Sequence, residues 1–180
     1  MIMHKILEKR QYSPEVFYLR VEAPEIAKNR HPGQFVIVQI DTNFGERVPL
    51  TIADANAEEG WIALVIQAVG ATTIKLCNKN VGDSIAAILG PLGRPSHITK
   101  CGTVACVCGG IGVAPMYPIA QAFKEAGNKL IVIIGARNKD LIVFEDEMKA
   151  IADELIITTD DGSYGRKALV TVPLKELCES

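Results

Sequence analysis

Apolar and polar residues alternate along the first half of the chain in short runs, which turn-forming residues separate. Runs of this length, rich in β-branched residues and bounded by glycine, proline, asparagine or aspartate, predict antiparallel strands. Six strands are predicted, over residues 2–8, 16–21, 35–40, 50–53, 61–68 and 84–89. Because strands at this spacing are typical of small barrels, we expect residues 1–95 to form an antiparallel β-barrel.

The pattern changes after Gly90-Pro91-Leu92-Gly93-Arg94-Pro95, which we interpret as a domain boundary because two prolines and two glycines occur in six residues. From about residue 100, apolar runs alternate with stretches of helical periodicity. Strands are predicted over 103–108, 130–136 and 155–159, and helices over 115–126, 144–153 and 169–178. This order predicts a parallel, doubly wound α/β sheet over 96–180. Pro173 fits the last helix only if it lies in the first turn.

A glycine-rich turn follows the first of these strands, in Cys108-Gly109-Gly110-Ile111-Gly112-Val113-Ala114-Pro115. The β-branched run 103–107 before it predicts a buried parallel strand. Glycines let a ligand approach the backbone, and the helix N-terminus that Pro115 favours attracts a pyrophosphate. The dinucleotide fingerprint is matched only in part, because Pro115 stands where the third glycine belongs. A merely tight turn is the alternative.

Two segments of the first half carry residues suited to a flavin nucleotide. In Arg47-Val48-Pro49-Leu50-Thr51 the guanidinium can bind a diphosphate and the hydroxyl can reach a planar cofactor. A solvated arginine beside an ordinary strand edge is the alternative. In Gln67-Ala68-Val69-Gly70-Ala71-Thr72-Thr73 a strand ends, and Thr72 or Thr73 is predicted to cap a helix over 74–78. This favours a second anion-binding helix N-terminus, and an ordinary N-cap is the alternative.

Composition narrows the classes of function. The net charge of −2 and the lack of a basic stripe argue against a nucleic-acid partner. No apolar run reaches membrane-spanning length and the first residues lack a signal-peptide core, so we expect a cytoplasmic protein with no membrane partner. Five cysteines without a C-x-x-C pair argue against a disulfide framework, and Cys106 and Cys108 are expected to fill the core.

Taken in order, these motifs resemble the ferredoxin–NADP reductase superfamily: R-x-P-L-T in a barrel, then G-x-x-T, a G-P-L-G hinge and G-G-x-G-x-A-P. Within it, the chain is similar to the electron-transfer subunit of bacterial dihydroorotate dehydrogenase. It is more similar to the small (alpha) subunit of NADH-dependent ferredoxin:NADP oxidoreductase, also called sulfide dehydrogenase, through 47–54 (RVPLTIAD) and 159–165 (TDDGSYG). The resemblance implies a FAD-binding β-barrel over 1–95 and a partial NAD(P)-binding α/β domain over 96–180.

The resemblance also implies roles for individual residues. Arg47 would bind the FAD diphosphate, Leu50 would lie against the flavin rings, and Thr51, the expected catalytic residue, would reach the edge near flavin N5. The other implied FAD contacts are Val48, Pro49, Val65, Ile66, Gln67, Gly70, Thr72 and Thr73. The implied contacts of the dinucleotide pyrophosphate are Gly110, Gly112, Val113, Ala114 and Pro115.

The chain differs in two respects from the relatives that it resembles. Such relatives continue into a cysteine-rich segment that binds a [2Fe–2S] cluster, and none of the five cysteines here has that spacing, so no metal is expected in this chain. The last strand that completes the nicotinamide pocket is also absent. We therefore expect a truncated α/β domain, or one that borrows a partner, with its opening strand on an exposed edge.

The choice between NAD and NADP stays open. Arg137 and Lys139 after the second strand would tolerate a 2′-phosphate, whereas Asp160 and Asp161 after the third would repel it. Solvated loops are the alternative for both clusters. The resemblance favours NADH.

We interpret the chain as a flavoprotein electron-transfer subunit. NAD(P)H would deliver hydride to FAD, and electrons would pass to an iron–sulfur centre, a ferredoxin or another acceptor, with a larger flavoprotein or dehydrogenase subunit as partner. One alternative is a non-catalytic module that binds flavin and nucleotide. The other is the reductase component of an oxygenase.

Overall fold

The computed structural model describes residues 3–42 and 45–179. The chain divides into two compact units, Met1–Ser96 (unit 1) and His97–Ser180 (unit 2). Within the described residues, the elements of unit 1 are β1 His4–Gln11, β2 Val16–Glu22, α1 Pro24–Asn29, β3 Phe35–Gln39, β4 Arg47–Asn56, β5 Trp61–Gln67, α2 Ala71–Cys77, β6 Ser84–Ile85 and β7 Ala87–Leu92.

Unit 1 is the expected barrel. Its strands follow the order β6-β1-β2-β5-β4-β3-β7, and every neighbouring pair is antiparallel. The two outermost strands, β6 and β7, are separated in the chain by Ala86 alone. Because consecutive residues form both edges, the sheet must curl until those edges meet.

The strands of unit 1 differ from their predictions mainly in length. Predicted strand 84–89 is divided at Ala86, and predicted strand 50–53 extends over Arg47–Asn56. Residue 2 of predicted strand 2–8 lies outside the described residues. Inward side chains form one apolar core, whose least exposed members include Ile6, Leu19, Val36, Val38, Ile62 and Leu64.

The segment interpreted as a domain boundary begins inside the barrel. Gly90 to Leu92 are the last residues of β7, which pairs with β3. A Cβ atom on Gly90 would lie 2.7 Å from Val36 Cγ1, so this close approach of two strands requires a glycine.

Unit 2 contains a parallel sheet with helices. Its described elements are β8 Thr103–Gly109, α3 Val113–Glu125, β9 Lys129–Ala136, α4 Glu145–Ile151, β10 Glu154–Thr159, β11 Arg166–Lys167 and α5 Thr171–Glu179. The strand order is β11-β10-β9-β8, and all three pairings are parallel. The parallel α/β sheet is therefore confirmed, although β11 was not predicted.

The winding of this sheet differs from the prediction. The strand order advances in one direction, and α3 packs against α4, so the part of unit 2 that the structure describes contains no reversal. The prediction of a doubly wound sheet is wrong for these residues. Strand β8 lies at the edge as expected, but Thr103 and Ala105 are exposed, because a strand covered by helices on one face alternates in burial.

The helices begin and end close to their predicted positions. Helix α3 starts two residues early, after a 3₁₀ turn over Gly110–Gly112, and Gly127 ends it with a φ of +83°. Pro173 is the third residue of α5, which is the position that the prediction required. Among the described residues, no helix is both long and apolar enough to span a membrane.

Candidate functional site

The outer face of β4 carries the candidate flavin residues of unit 1. Arg47 and Pro49 are exposed and Thr51 is half-buried, whereas Val48 and Leu50 pack against the barrel core. This alternation follows from the pleat of a strand. Leu50 therefore lies on the opposite face of the strand from Thr51, which is a departure from the expectation that both approach one ring system.

Strand pairing places Thr51 among other outward side chains. Thr51 pairs with Phe35 on β3, and because Ile52 pairs with Leu64, Thr51 lies beside Val65 on β5. Val65 and Gln67 are half-buried and face outward. Ile66 between them is 1% exposed and belongs to the core, so only its main chain can contact a ligand.

Arg47 stands at the start of β4, opposite Gln39 on β3. Its Nε donates a hydrogen bond to Gln39 Oε1 at 3.1 Å. This contact orients the guanidinium but uses one of its five N–H donors. The exposed position leaves the charge available to an anion.

The turn before α2 is built differently from its prediction. Gly70, rather than Thr72 or Thr73, is the N-cap residue, and the helix begins at Ala71. Thr73 Oγ1 accepts hydrogen bonds from the amides of Gly70 (3.0 Å) and Val69 (3.2 Å). The first intrahelical bond runs from Ile74 N–H to the Gly70 carbonyl, so the amides of residues 71–73 have no acceptor within the helix.

A cavity of about 320 Å³ lies beside the start of α2. Glu46, Thr72 and Lys75 are among its lining residues. The Thr72 hydroxyl donates to the Glu46 carboxylate, and the Lys75 ammonium pairs with Asp41. The cavity is thus lined by charged and hydroxyl groups next to the free amides of the helix.

The glycine turn of unit 2 offers an open main-chain surface. A Cβ atom built on Gly109, Gly110 or Gly112 would meet no heavy atom within 4 Å. Gly110 has a φ of +51°, which favours glycine. Packing inside unit 2 therefore does not require glycine at these positions, and the absence of side chains leaves space for a ligand against the backbone.

The residues after this turn contribute less than expected. The side chains of Val113 and Ala114 are 0% and 1% exposed, so only their main-chain groups can reach a ligand. Pro115 occupies the third position of α3 and has no N–H to donate. The contacts implied for Val113 and Ala114 can therefore come from their main chain only, because both side chains pack into unit 2.

The sheet brings the separate candidates of unit 2 to one edge. Gly109 pairs with Gly135 and Thr159 with Ala136, so the glycine turn, Arg137 and Asp160 all follow the carboxyl ends of parallel strands. Ligands bind at this edge in open α/β sheets. Asp160 and Arg137 are both exposed, and no ion pair joins either to another described residue.

Sequence reasoning missed the contact between Tyr164 and Glu145 near this edge. The Tyr164 hydroxyl donates to Glu145 Oε1 at 2.8 Å, and the Lys139 ammonium lies 5.2 Å from the centroid of the Tyr164 ring. No spacing rule links positions so far apart in the chain. Glu145 has the sequence pattern of an ordinary acidic first turn.

The cysteines of β8 are unsuited to redox or metal chemistry. Cys106 and Cys108 are 4% and 5% exposed. Burial raises the pKa of both thiols, that of Cys108 to about 12, so they stay protonated at neutral pH. In residues 3–42 and 45–179, no group of three or more histidine, cysteine, aspartate or glutamate side chains is placed to hold a metal ion.

Comparison with known proteins agrees with this geometry. Residues 106–167 match the model of the oxidoreductase NAD-binding domain family. The chain is 44% identical to a dihydroorotate dehydrogenase B (NAD(+)) electron transfer subunit homolog of Thermotoga maritima, over 97% of this chain and 61% of that protein. It is 34% identical to the corresponding subunit of Fusobacterium nucleatum, over 94% of this chain and 67% of that protein.

A solved structure of an NADH-dependent reduced ferredoxin-NADP oxidoreductase, reported in connection with flavin-based electron bifurcation, superposes with a TM-score of 0.92. Its identity is 42%, and the match covers 100% of this chain and 64% of that chain. The chain spans about three fifths of the length of the first curated relatives that it matches. A ferredoxin NADP+ reductase from Neisseria gonorrhoeae has the same fold, with 16% identity and a TM-score of 0.80, and its structure holds FAD and NADP.

Proposed function

Because the chain belongs to the family of dihydroorotate dehydrogenase B electron transfer subunits, within the ferredoxin reductase-like superfamily, we propose that it binds FAD and a nicotinamide dinucleotide and transfers electrons between them. One observation carries the proposal. The backbone at Gly109, Gly110 and Gly112 borders open space at the carboxyl edge of the parallel sheet, where a pyrophosphate fits.

FAD binds to unit 1 in this proposal. Arg47 binds the diphosphate, and the Thr51 hydroxyl hydrogen-bonds the flavin edge near N5, which makes it the catalytic residue. Their shared position on the outer face of β4 supports both roles. The other FAD contacts proposed are Pro49, Val65, Gln67, the main chain of Val48, Leu50 and Ile66, and Gly70, Thr72 and Thr73 for the phosphates.

The dinucleotide binds to unit 2. Gly110 and Gly112 let the pyrophosphate approach the backbone, and Val113 and Ala114 contribute main-chain groups only. Pro115 fixes the first turn of α3 without offering a donor. Arg137, Asp160 and Asp161 border the adenosine ribose.

The cofactors, when bound, supply hydride and single-electron chemistry. The residues of this chain bind them, orient them and exclude water. Few groups able to move protons are needed, and the only hydroxyl proposed at the reacting edge is that of Thr51. The electron acceptor in this proposal would be an iron–sulfur centre or a ferredoxin on a larger partner subunit, in the cytoplasm.

NADH is the proposed electron donor. The Lys139 ammonium lies over the Tyr164 ring, which holds one of the two basic side chains of this segment away from a 2′-phosphate. Asp160 is exposed at the same edge and can accept a hydrogen bond from a ribose hydroxyl. Repulsion between the Asp160 carboxylate and a 2′-phosphate disfavours NADPH.

Anaerobic titration of the FAD-loaded chain tests the function. We expect the purified protein to bind FAD and NADH to bleach the flavin absorbance band, faster than NADPH does. A chain that binds both cofactors without bleaching would be the non-catalytic module instead. A chain that binds neither would overturn the proposal. Family membership favours electron transfer within a dehydrogenase complex over the reductase component of an oxygenase.

A further inference from the structure

A short loop after β10, residues 160–163, carries Asp160 and Asp161, and we name it the acidic loop. Thr159 and Tyr164 flank the loop and are hydrogen-bonded to each other. The Thr159 hydroxyl donates to the Tyr164 carbonyl at 2.7 Å and accepts from the Tyr164 amide at 3.1 Å. Thr159 is fully buried, so the base of the loop is fixed to the sheet.

The acidic loop is also bound to the segment after β9. The Asp160 amide donates to the Ala136 carbonyl at 3.0 Å, and the Asp161 amide donates to the Arg137 carbonyl at 3.2 Å. The Lys139 amide donates to Ser163 Oγ at 2.9 Å. Three hydrogen bonds therefore join the loop with the acidic residues to the loop with the basic ones.

The two aspartates are not equivalent. Asp161 Oδ1 accepts the Ser163 amide at 2.8 Å, and this bonding to Ser163 lowers the pKa of the Asp161 carboxyl. Asp161 thus stabilises the turn. Among the described residues, the Asp160 side chain accepts no hydrogen bond, so its exposed carboxylate is the one available to a ligand.

Tyr164 connects this loop to a third segment. Its hydroxyl donates to Glu145, the first residue of α4, while Lys139 lies against its ring. The neighbouring Glu145 carboxylate raises the pKa of the Tyr164 phenol, which remains a donor at neutral pH. The Tyr164 side chain therefore joins α4 to a basic side chain of the segment after β9.

We propose that Tyr164 and Glu145 are positioning residues for coenzyme selection: the hydrogen bond between them holds the Tyr164 ring where it keeps the Lys139 ammonium, at the sheet edge that carries Asp160. The inference rests on the proposed function, since it concerns the dinucleotide site of unit 2. Loss of the Tyr164–Glu145 hydrogen bond lets the Tyr164 ring move away from Lys139, and a lysine released from the ring can neutralise a 2′-phosphate. Selection against 2′-phosphorylated ligands then weakens.

Four variants of the full chain test this. Tyr164→Phe and Glu145→Ala remove the hydrogen bond, whereas Glu145→Gln keeps a carbonyl acceptor. Asp146→Ala removes a carboxylate from the same turn of α4 and is the matched control. Calorimetry measures the dissociation constants of ADP and adenosine 2′,5′-bisphosphate, and thermal unfolding reports the stability of each variant.

We expect the wild-type chain to prefer ADP. Tyr164→Phe and Glu145→Ala should each reduce that preference about fivefold, the effect of losing one hydrogen bond of about 1 kcal/mol. Glu145→Gln and Asp146→Ala should retain it. If Tyr164→Phe does not fold, the comparison of Glu145→Ala with Glu145→Gln decides.

The outcomes separate this inference from the function on which it rests. If all four variants prefer ADP as strongly as the wild-type chain does, the positioning role is overturned while dinucleotide binding stays intact. A wild-type chain that prefers adenosine 2′,5′-bisphosphate would overturn the positioning role as well. A wild-type chain that binds neither ligand would overturn both proposals.

Discussion

Val65 and Ile66 are neighbours on β5 and face opposite sides of the barrel wall, Val65 outward and Ile66 into the core. We expect Ile66→Ala to lower the free energy of unfolding by about 2–5 kcal/mol, because it leaves a cavity in a packed core. Val65→Ala should cost less stability and should weaken FAD binding. Urea unfolding and FAD titration of both variants check this, and a stable Ile66→Ala chain would contradict it.

Arg47 is the proposed ligand of the FAD diphosphate. We expect Arg47→Ala to weaken FAD binding roughly 10- to 100-fold, since a hydrogen bond to a charged group contributes about 1.5–3 kcal/mol. Quenching of flavin fluorescence measures the affinity. Arg166→Ala is the control, because it removes an exposed arginine that pairs with Glu176 in unit 2. Equal losses in the two variants would point to a general effect of charge.

Gly112 has backbone angles that any residue can adopt, with φ −61° and ψ −12°. Because a Cβ atom there meets no protein atom within 4 Å, Gly112→Ala should keep the stability within about 1 kcal/mol of wild type. The new methyl group should occupy the proposed pyrophosphate site and weaken ADP binding, with FAD binding unchanged. Thermal unfolding and calorimetry measure these effects. Unchanged ADP affinity would show that the ligand lies elsewhere.

The five cysteines should differ in reactivity. Cys101 and Cys178 are exposed, whereas Cys77, Cys106 and Cys108 are buried. Burial raises the pKa of Cys77 to about 11 and that of Cys108 to about 12, which leaves little thiolate. We expect iodoacetamide to label the two exposed residues first under native conditions, as followed by peptide mass spectrometry. Rapid labelling of Cys108 would contradict the burial of β8.

Asp153 makes stability depend on pH. Its carboxylate accepts from the Lys124 ammonium (2.5 Å) and the Leu130 amide (2.7 Å), and these contacts lower its pKa below 3.8. A lowered folded-state pKa gives stability that is complete above pH 3.8 and lost as the pH falls through the lowered value. Asp153→Asn should flatten this part of the pH profile of the unfolding temperature. An identical profile in the variant would refute the assignment.

The alternation of residues predicted the strands well because most strands of unit 1 have one face in the core and one in solvent. It could not predict the orientation of β5, since Trp61–Gln67 is apolar at six of its seven positions and shows no period. The inward direction of Ile66 therefore emerges only from the packing of the barrel. Strand pairing likewise decides that Leu50 and Thr51 face opposite sides.

The sequence rules for helix capping also failed at α2, where a glycine rather than a threonine is the N-cap residue. The preference of N-caps for threonine indicated Thr72 or Thr73, yet Gly70 caps α2 and Thr73 bonds back to its amide. The contact between Tyr164 and Glu145 depends on the crossover that brings α4 beside the end of β10. Such contacts follow from tertiary structure, and no spacing along the chain indicates them.

One short segment of the chain, residues 84–92, supplies both edge strands of the barrel, and this affects the chain during its synthesis. Until residues 84–92 have left the ribosome, β1 and β3 each expose unpaired backbone groups, because their partners β6 and β7 do not yet exist. Such open edges invite pairing with other chains. Closure also joins His4 to Ile85, a distant pairing of the kind that slows folding. A nascent chain stalled before residue 84 is therefore the form of this protein most exposed to aggregation.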